Sequence, residues 1–163
     1  MTSLRFSVIS LTCALGVSEI LTDPIAMAQT SKGHSMLAPA ALKWVDLSSL
    51  PPGAKIAILQ GPMSEAAPFT ARVRIPANYQ VPAHWHPAIE HVSVLSGTLY
   101  MGLGDELDTG KAMAVPAGGF AVMPPKTPHF AFTTHEPVEF QLHGVGPWGI
   151  TYINPADDPR KQQ

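Results

Sequence analysis

The segment best suited to chemistry is His-Trp-His-Pro-Ala-Ile-Glu at residues 84–90. Successive side chains of a β-strand point to opposite faces, so His84 and His86 should share a face, about 7 Å apart along the chain. Imidazole nitrogens at that spacing can bind one metal ion at about 2.0–2.1 Å. Glu90 has the same parity, although Pro87 is expected to bend the chain so that Glu90 begins the next strand. This ligand set suits divalent Fe, Mn, Ni or Zn, whereas the alternative is a surface strand with incidental histidines.

The residues of opposite parity in and next to this segment should face away from such a metal. Trp85 lies between the two histidines and is interpreted as a packing residue. His91 follows Glu90 and is expected on the opposite face of its strand.

A second informative segment runs from Gly118 to His129 and contains Pro124. With it, the chain resembles the cupin superfamily, whose two motifs are G-x5-H-x-H-x3,4-E-x6-G and G-x5-P-x-G-x2-H-x3-N. The positions that match these motifs in spacing are His84, His86, Glu90 and Gly97 in the first, and Gly118, Pro124 and His129 in the second. The resemblance covers roughly residues 56–145.

Three positions depart from the cupin motifs. Asn78 replaces the opening Gly, a mild change because Asn tolerates a positive φ. Lys126 replaces the central Gly of the second motif and predicts a different turn conformation. Thr133 replaces the terminal Asn and removes its amide hydrogen bond. None of the three is a metal ligand in the family, so the four ligand positions are intact.

The resemblance implies a double-stranded β-helix, or jelly-roll barrel, with one divalent metal held by His84, His86, Glu90 and His129. A six-coordinate ion would keep two positions for water, a substrate, or substrate and dioxygen. A tetrahedral zinc ion would be closed by these four ligands. The resemblance therefore leaves both an open catalytic centre and a closed binding site possible.

The rest of the chain predicts strands that would position these residues. Pro and Gly together make up 30 of 163 residues, and no segment shows helical periodicity over three turns. Short β-type runs separated by turns are typical of an all-β sandwich or barrel over residues 41–153. The predicted runs are 42–47, 56–60, 69–75, 91–95, 98–103, 120–123, 129–134, 138–143 and 150–153.

Both ends of the chain are expected to lie outside this domain. Arg5, the apolar run 6–17 and the small-residue site ending at Ala28 predict a signal peptide over residues 1–28, cleaved after Ala28. An N-terminal core helix or a membrane anchor is the alternative, but the apolar run is shorter than the about 20 residues that span a bilayer. The mature protein would be periplasmic or secreted, without a membrane segment. Residues 29–40 are predicted to be a flexible lead-in, and residues 154–163 a solvated C-terminal tail.

The alternation of the strands also predicts partners and cavity residues. From His129, Ala131 and Thr133 should point inward, whereas Phe130 and Phe132 should point outward against another layer or a second subunit. Cupins are often dimers, so the resemblance implies a homodimer.

Several further side chains have two interpretations. Gln141 and His143 share one face of their strand, where they either line the cavity or form an ordinary polar solvent face, the interpretation we favour. His135 is expected at the surface. The residues that form either a cavity wall or simply barrel core are Tyr100, Met101, Met113, Met123 and Trp148.

Composition excludes some functions and leaves two open. A net charge of −2 without a block of Lys or Arg provides no positively charged surface for nucleic acid. The sequence also lacks a glycine-rich loop of the P-loop type and the Ser-His-Asp order of a catalytic triad. The first hypothesis is a small metalloenzyme that performs dioxygenase-type oxidation or Lewis-acid chemistry on a small oxygen-rich molecule, with Glu90 as a further candidate for proton exchange. The second is a non-catalytic module that binds a metal or a small ligand.

Overall fold

The computed structural model describes residues 28–31 and 34–161, so the predicted signal peptide lies outside the described residues except for Ala28. The strands in chain order are β1 (Ala28–Ser31), β2 (His34–Leu37), β3 (Val45–Asp46), β4 (Lys55–Gln60), β5 (Pro68–Ile75), β6 (Gln80–Trp85), β7 (Glu90–Ser96), β8 (Thr98–Leu103), β9 (Met113–Pro116), β10 (Phe120–Met123), β11 (His129–Phe132), β12 (Val138–Val145) and β13 (Thr151–Tyr152). The helical elements of this part of the chain are four 3-10 turns, at Pro39–Ala41, Thr109–Lys111, Pro155–Asp157 and Pro159–Lys161. None of its helices is long and apolar enough to cross a bilayer.

Two antiparallel sheets enclose the core. One has six strands in the order β10-β7-β12-β5-β4-β3, and the other has five in the order β13-β6-β11-β8-β9. Neighbours that are distant in sequence, such as β5 with β12 and β6 with β11, join the two halves of the domain. The predicted all-β double-stranded β-helix is confirmed.

The alternation of side chains along β5 shows how the core forms. Phe69, Ala71, Val73 and Ile75 are buried, whereas the residues between them are at least partly exposed. On the outer face, Arg74 donates from Nε to Oε2 of Glu139 on β12, at 2.7 Å. The apolar face of the strand therefore packs between the sheets, and the polar face meets solvent.

Four described strands, β1, β2, β6 and β9, lie outside the nine predicted runs, and both β6 and β9 contain a proline. Pro82 lies within β6, where the pairing with β11 shifts between His129↔His84 and Ala131↔Val81, so the proline falls in a β-bulge. The other strand, β9, ends at Pro116 and lies at the edge of its sheet. The predicted run 42–47 contains a strand only at Val45–Asp46.

The chain ends differ from the irregular segments expected. Strands β1 and β2 pair as a short antiparallel ladder within the predicted lead-in, and the side chains of β2 are exposed. Beyond β13, two 3-10 turns follow one another, and Asp158 between them is buried. Asp158 is therefore packed against the domain, whereas most of the described residues around it are exposed, namely Asn154, Pro155, Ala156, Arg160 and Lys161.

The two outward phenylalanines of β11 are covered by the chain itself. Phe130 is fully buried, and its ring lies against Gly102, where an added Cβ would meet Cζ at 2.2 Å. Phe132 is buried as well and stacks on Tyr100, with ring centroids 5.0 Å apart. These rings fill an outer layer within one chain.

Candidate metal centre

Both sheets contribute to the predicted ligand set. His84 lies on β6 and pairs with His129, the first residue of β11, while His86 follows directly after the end of β6. Glu90 is the first residue of β7 in the opposite sheet, as expected from Pro87. All four of these side chains are buried.

The three imidazoles share one hydrogen-bonding arrangement. His84 Nδ1 lies 2.7 Å from Pro82 O, His86 Nδ1 lies 2.7 Å from Gly149 O, and His129 Nδ1 lies 2.9 Å from Thr127 O. A carbonyl only accepts, so each Nδ1 carries a proton and donates it. Each Nε2 is then left with a free lone pair in the neutral ring. One ring nitrogen from each histidine lies within 4.8 Å of the others.

Glu90 approaches this nitrogen cluster from the other sheet. Its Oε2 lies 3.2 Å from His129 Nε2, and its Oε1 lies 3.6 Å from His86 Nε2. Glu90 Oε2 and His86 Nε2 are nevertheless buried without a hydrogen-bond partner. Unpartnered buried lone pairs beside a carboxylate are costly in a dry interior, and a divalent cation would satisfy both. The residues present therefore fit a metal ion.

The electrostatics of the cluster favour neutral histidines and an ionised carboxylate. Burial, followed by the neighbouring His129 and His86, lowers the pKa of His84 to about 3. Burial also lowers the pKa of His86. Burial alone would raise the pKa of Glu90, but the close imidazole of His129 and the other two rings bring it below its usual range.

His129 behaves differently from the other two imidazoles. Burial acts to lower its pKa, but the adjacent Glu90 carboxylate outweighs burial and raises it. Without a metal ion, a proton in this cluster is therefore favoured on His129, beside the ionised carboxylate of Glu90.

The cluster opens into an apolar cavity between the two sheets. Its volume is about 320 Å³, within the range typical of sites for small molecules. The polar lining side chains are those of Ser49, His84, His86, Glu90, His129 and Arg160, and the remainder of the lining is almost entirely aliphatic or aromatic. Trp148 lies in this lining and stacks on His86, with ring centroids 4.2 Å apart and planes at 18°.

Two of the departures from the cupin motifs, Asn78 and Lys126, have a positive φ. Lys126 has a φ of +58°, the left-handed conformation that glycine adopts most readily. Its backbone N–H donates to His86 O at 2.8 Å. Asn78 likewise has a φ of +54°, as expected for an Asn in this position.

Thr133 replaces the lost amide hydrogen bonding with its hydroxyl. The buried Oγ1 donates to Pro76 O at 2.7 Å and accepts from the backbone N–H of Tyr79 at 2.9 Å. The turn that leads into β6 is therefore held to the end of β11.

The other residues considered in the sequence analysis lie partly in the cavity wall and partly on the outer faces of the sheets. Met101 and Trp148 line the cavity, whereas Met113 is exposed. On β12, Phe140 and Leu142 point inward. Gln141 and His143 therefore occupy the outer face, as favoured, and His143 Nδ1 lies 3.2 Å from Thr70 Oγ1.

His91 is also on the outer face, next to His143, with ring centroids 5.9 Å apart. His135 is exposed, as expected. The cavity residue that sequence reasoning missed is Arg160 in the C-terminal segment, where no local pattern indicates that the chain folds back.

The comparisons with known proteins agree with this fold. The family model of the ChrR cupin-like domain matches residues 32–148, and the chain belongs to this family, which confirms the predicted cupin membership. Among proteins of curated function, none gives a significant match.

Solved structures with a similar fold have diverse functions. The polyketide cyclase RemF from Streptomyces resistomycificus has a TM-score of 0.63 at 18% identity, over 78% of this chain and 92% of the cyclase. A putative ethanolamine utilization protein from Salmonella typhimurium LT2 has a TM-score of 0.57 at 18% identity, over 73% of this chain and 92% of that one. The DMSP lyase DddQ from Ruegeria pomeroyi DSS-3 has a TM-score of 0.56 at 18% identity, over 69% of this chain but only 61% of the lyase. At these identities the likeness shows the shared fold alone.

Proposed function

We propose that this cupin is a mononuclear metalloenzyme whose divalent ion, Fe, Mn, Ni or Zn, is held by His84, His86, His129 and Glu90. The observation that carries the proposal is the set of three Nδ1–H···O=C hydrogen bonds, which leave the Nε2 lone pairs free on three buried imidazoles. One ring nitrogen from each of these imidazoles lies within 4.8 Å of the others. When bound, the ion would polarise a coordinated oxygen group, or activate dioxygen if it is iron.

The chain's own residues would bind the substrate, exclude water and exchange a proton. The apolar lining excludes water and binds the body of a small substrate through burial, while an oxygen-bearing group of that substrate faces the cluster. Glu90 is the one carboxylate of the described cavity lining, so it is the residue proposed to exchange a proton with the substrate when its bond to the ion is loose. The cavity lining favours a substrate with an oxygen-bearing group toward the cluster and an apolar body.

Metal content tests the site directly. The protein should be purified without a His tag, beside His86→Ala and the outer-face control His143→Ala. We expect a near-stoichiometric transition metal in the wild type and in His143→Ala, and its loss from His86→Ala. A metal-free wild type that stays empty after reconstitution would refute the proposal.

The second candidate is a non-catalytic module with a closed metal site, which the absence of a separate acid–base pair in the described cavity lining favours. Nitric oxide binding to the Fe(II) form separates the two. A new absorption and EPR signal indicates an open coordination position, and an unchanged spectrum supports the closed site.

We also propose that the protein is exported. The basis is the sequence of residues 1–28, and the test is intact mass after expression in a bacterium with a periplasm. A mature form that begins at Gln29 is expected in the periplasmic fraction, and an uncleaved cytoplasmic chain would contradict export.

A homodimer is proposed through the outer face of the six-stranded sheet. Phe120 and Val122 are 58% and 45% exposed on β10, which is the edge strand of that sheet. Light scattering should show a dimer that Phe120→Glu dissociates and Met113→Glu, on the edge of the other sheet, does not. A monomeric wild type would exclude the dimer.

A further inference from the structure

The C-terminal segment places one arginine in the wall of the cavity. Arg160 lies in the last 3-10 turn, beyond the residues that match the family model, and its side chain is 44% exposed. Among the described residues that line the cavity, it is the one permanently charged cation.

The guanidinium is held in one orientation by three acceptor atoms of two residues. Its Nε donates to Asp158 Oδ1 at 2.7 Å, and its Nη2 donates to Asp158 Oδ2 at 2.9 Å and to Ile150 O at 3.2 Å. The Asp158 side chain is only 11% exposed, so this bidentate pair is partly shielded from water. Within the described chain, Nη1 makes no hydrogen bond, which leaves its two N–H groups available to a ligand.

Two adjacent backbone carbonyl groups, of Gly149 and Ile150, connect this arginine with the candidate metal centre. Gly149 O accepts from His86 Nδ1, and Ile150 O, the next carbonyl along the chain, accepts from Arg160 Nη2. The same two residues also line the cavity. The spacing between the imidazole and the guanidinium is therefore set by a short stretch of backbone.

We propose that Arg160 binds the carboxylate of a small amphiphilic acid whose apolar body lies in the cavity. The free Nη1 can donate a charge-assisted hydrogen bond to one oxygen of a carboxylate, and the apolar lining matches a short alkyl or aryl body. The inference names the substrate class of the proposed enzyme, and it rests on the proposed function only for the reaction at the metal. Arg160 is a specificity-determining residue in this scheme.

Isothermal titration with octanoate and octanamide tests the inference, because the two probes differ mainly in charge. The full chain should be titrated as purified and after metal removal. We expect octanoate to bind at least about tenfold more tightly than octanamide in both states, since a charge-assisted pair is about twice as strong as a neutral one. Arg160→Gln should abolish this preference while leaving octanamide affinity unchanged, and Arg160→Lys should restore it only in part.

The neighbouring cation provides the matched control. Lys161→Gln removes one positive charge from the same turn and should keep the full octanoate preference. The inference is overturned if Arg160→Gln keeps that preference, if its affinities for both probes fall together, or if neither probe binds the wild type. Metal content of Arg160→Gln should equal that of the wild type, so a failed metal site and a failed carboxylate site give different results.

Discussion

The histidines of the metal centre are oriented as ligands by backbone carbonyls. The acceptors for His84 and His129 lie two residues earlier in the chain, at Pro82 and Thr127, so local geometry sets these two rings. His86 depends instead on Gly149, which is distant in sequence. Pre-set tautomers reduce the ordering cost of binding an ion.

Replacement of His86 by Ala should remove more metal affinity than loss of an outer hydrogen-bond partner, which typically costs about 10–100-fold. The reason is that an Nε2 donor is deleted outright. Competition with a chromophoric chelator measures the change, and His143→Ala serves as the control because its ring lies outside the cavity. Equal affinity in His86→Ala and wild type would show that the ion binds elsewhere.

Metal binding should become weaker as the pH falls through the raised pKa of His129. Below that pKa the proton on His129 must leave before the ion binds, so apparent affinity should drop by about tenfold per pH unit. Titration calorimetry in two buffers of different ionisation enthalpy should show more proton release at pH 6 than at pH 8.

Glu90→Gln is the matched variant for this pH dependence. Without the carboxylate, the pKa of His129 should fall, because the main group that raises it is lost while burial still lowers it. Proton release at pH 6 should therefore decrease. An unchanged proton count in Glu90→Gln would show that the proton belongs to another group.

Turns rather than strands distinguish this chain from the cupin motifs. The Lys126 turn holds the backbone of His86, and Thr133 joins β11 to the segment before β6. Both elements therefore support the strand that bears His84.

Lys126→Gly should stabilise the fold by about 0.5–1 kcal/mol, because a residue with a Cβ is strained at a φ of +58°. Chemical denaturation measures the difference. Lys126→Ala keeps the Cβ and should not stabilise the protein, so a gain in both variants would point to the lost charge instead.

Thr133→Val should destabilise the protein by about 1–3 kcal/mol. It leaves the N–H of Tyr79 and the carbonyl of Pro76 without the hydroxyl that now satisfies them. Thr133→Ser keeps that hydroxyl and should lose less. If Ser and Val are equally destabilising, packing of the methyl group is the main contribution.

The strands and the C-terminal segment show which features of the fold can be predicted from the sequence and which cannot. Alternation and motif spacing predicted the buried cluster and the outward His91, because both depend on local parity. A strand around His84 and His86 was expected from the motif, whereas its start at Gln80 and the bulge at Pro82 depend on the pairing with β11. Arg160 was missed because its contacts with Asp158 and Ile150 depend on how the segment folds back.

At the scale of the whole molecule, the cluster connects the two sheets. The three histidines belong to the five-stranded sheet or to the residue after β6, and Glu90 belongs to the six-stranded sheet. An ion bound by all four would link the sheets across the cavity and stabilise the folded state.

Thermal unfolding should therefore show a metal-dependent gain. At a free ion concentration 100 times the Kd, the expected stabilisation is about 2.7 kcal/mol for an ion that does not bind the unfolded chain. The melting temperature of His86→Ala should not respond to that concentration. A gain of equal size in the variant would indicate binding to other surface groups.

The stacking of Trp148 on His86 gives the protein an intrinsic optical reporter of its metal centre. The indole ring centroid lies 4.2 Å from that of His86, so a bound paramagnetic ion should quench its fluorescence more strongly than that of Trp44, which packs against Arg74. Trp148→Phe would remove that response and leave the background emission. Occupancy of the site can then be followed in real time without any added label.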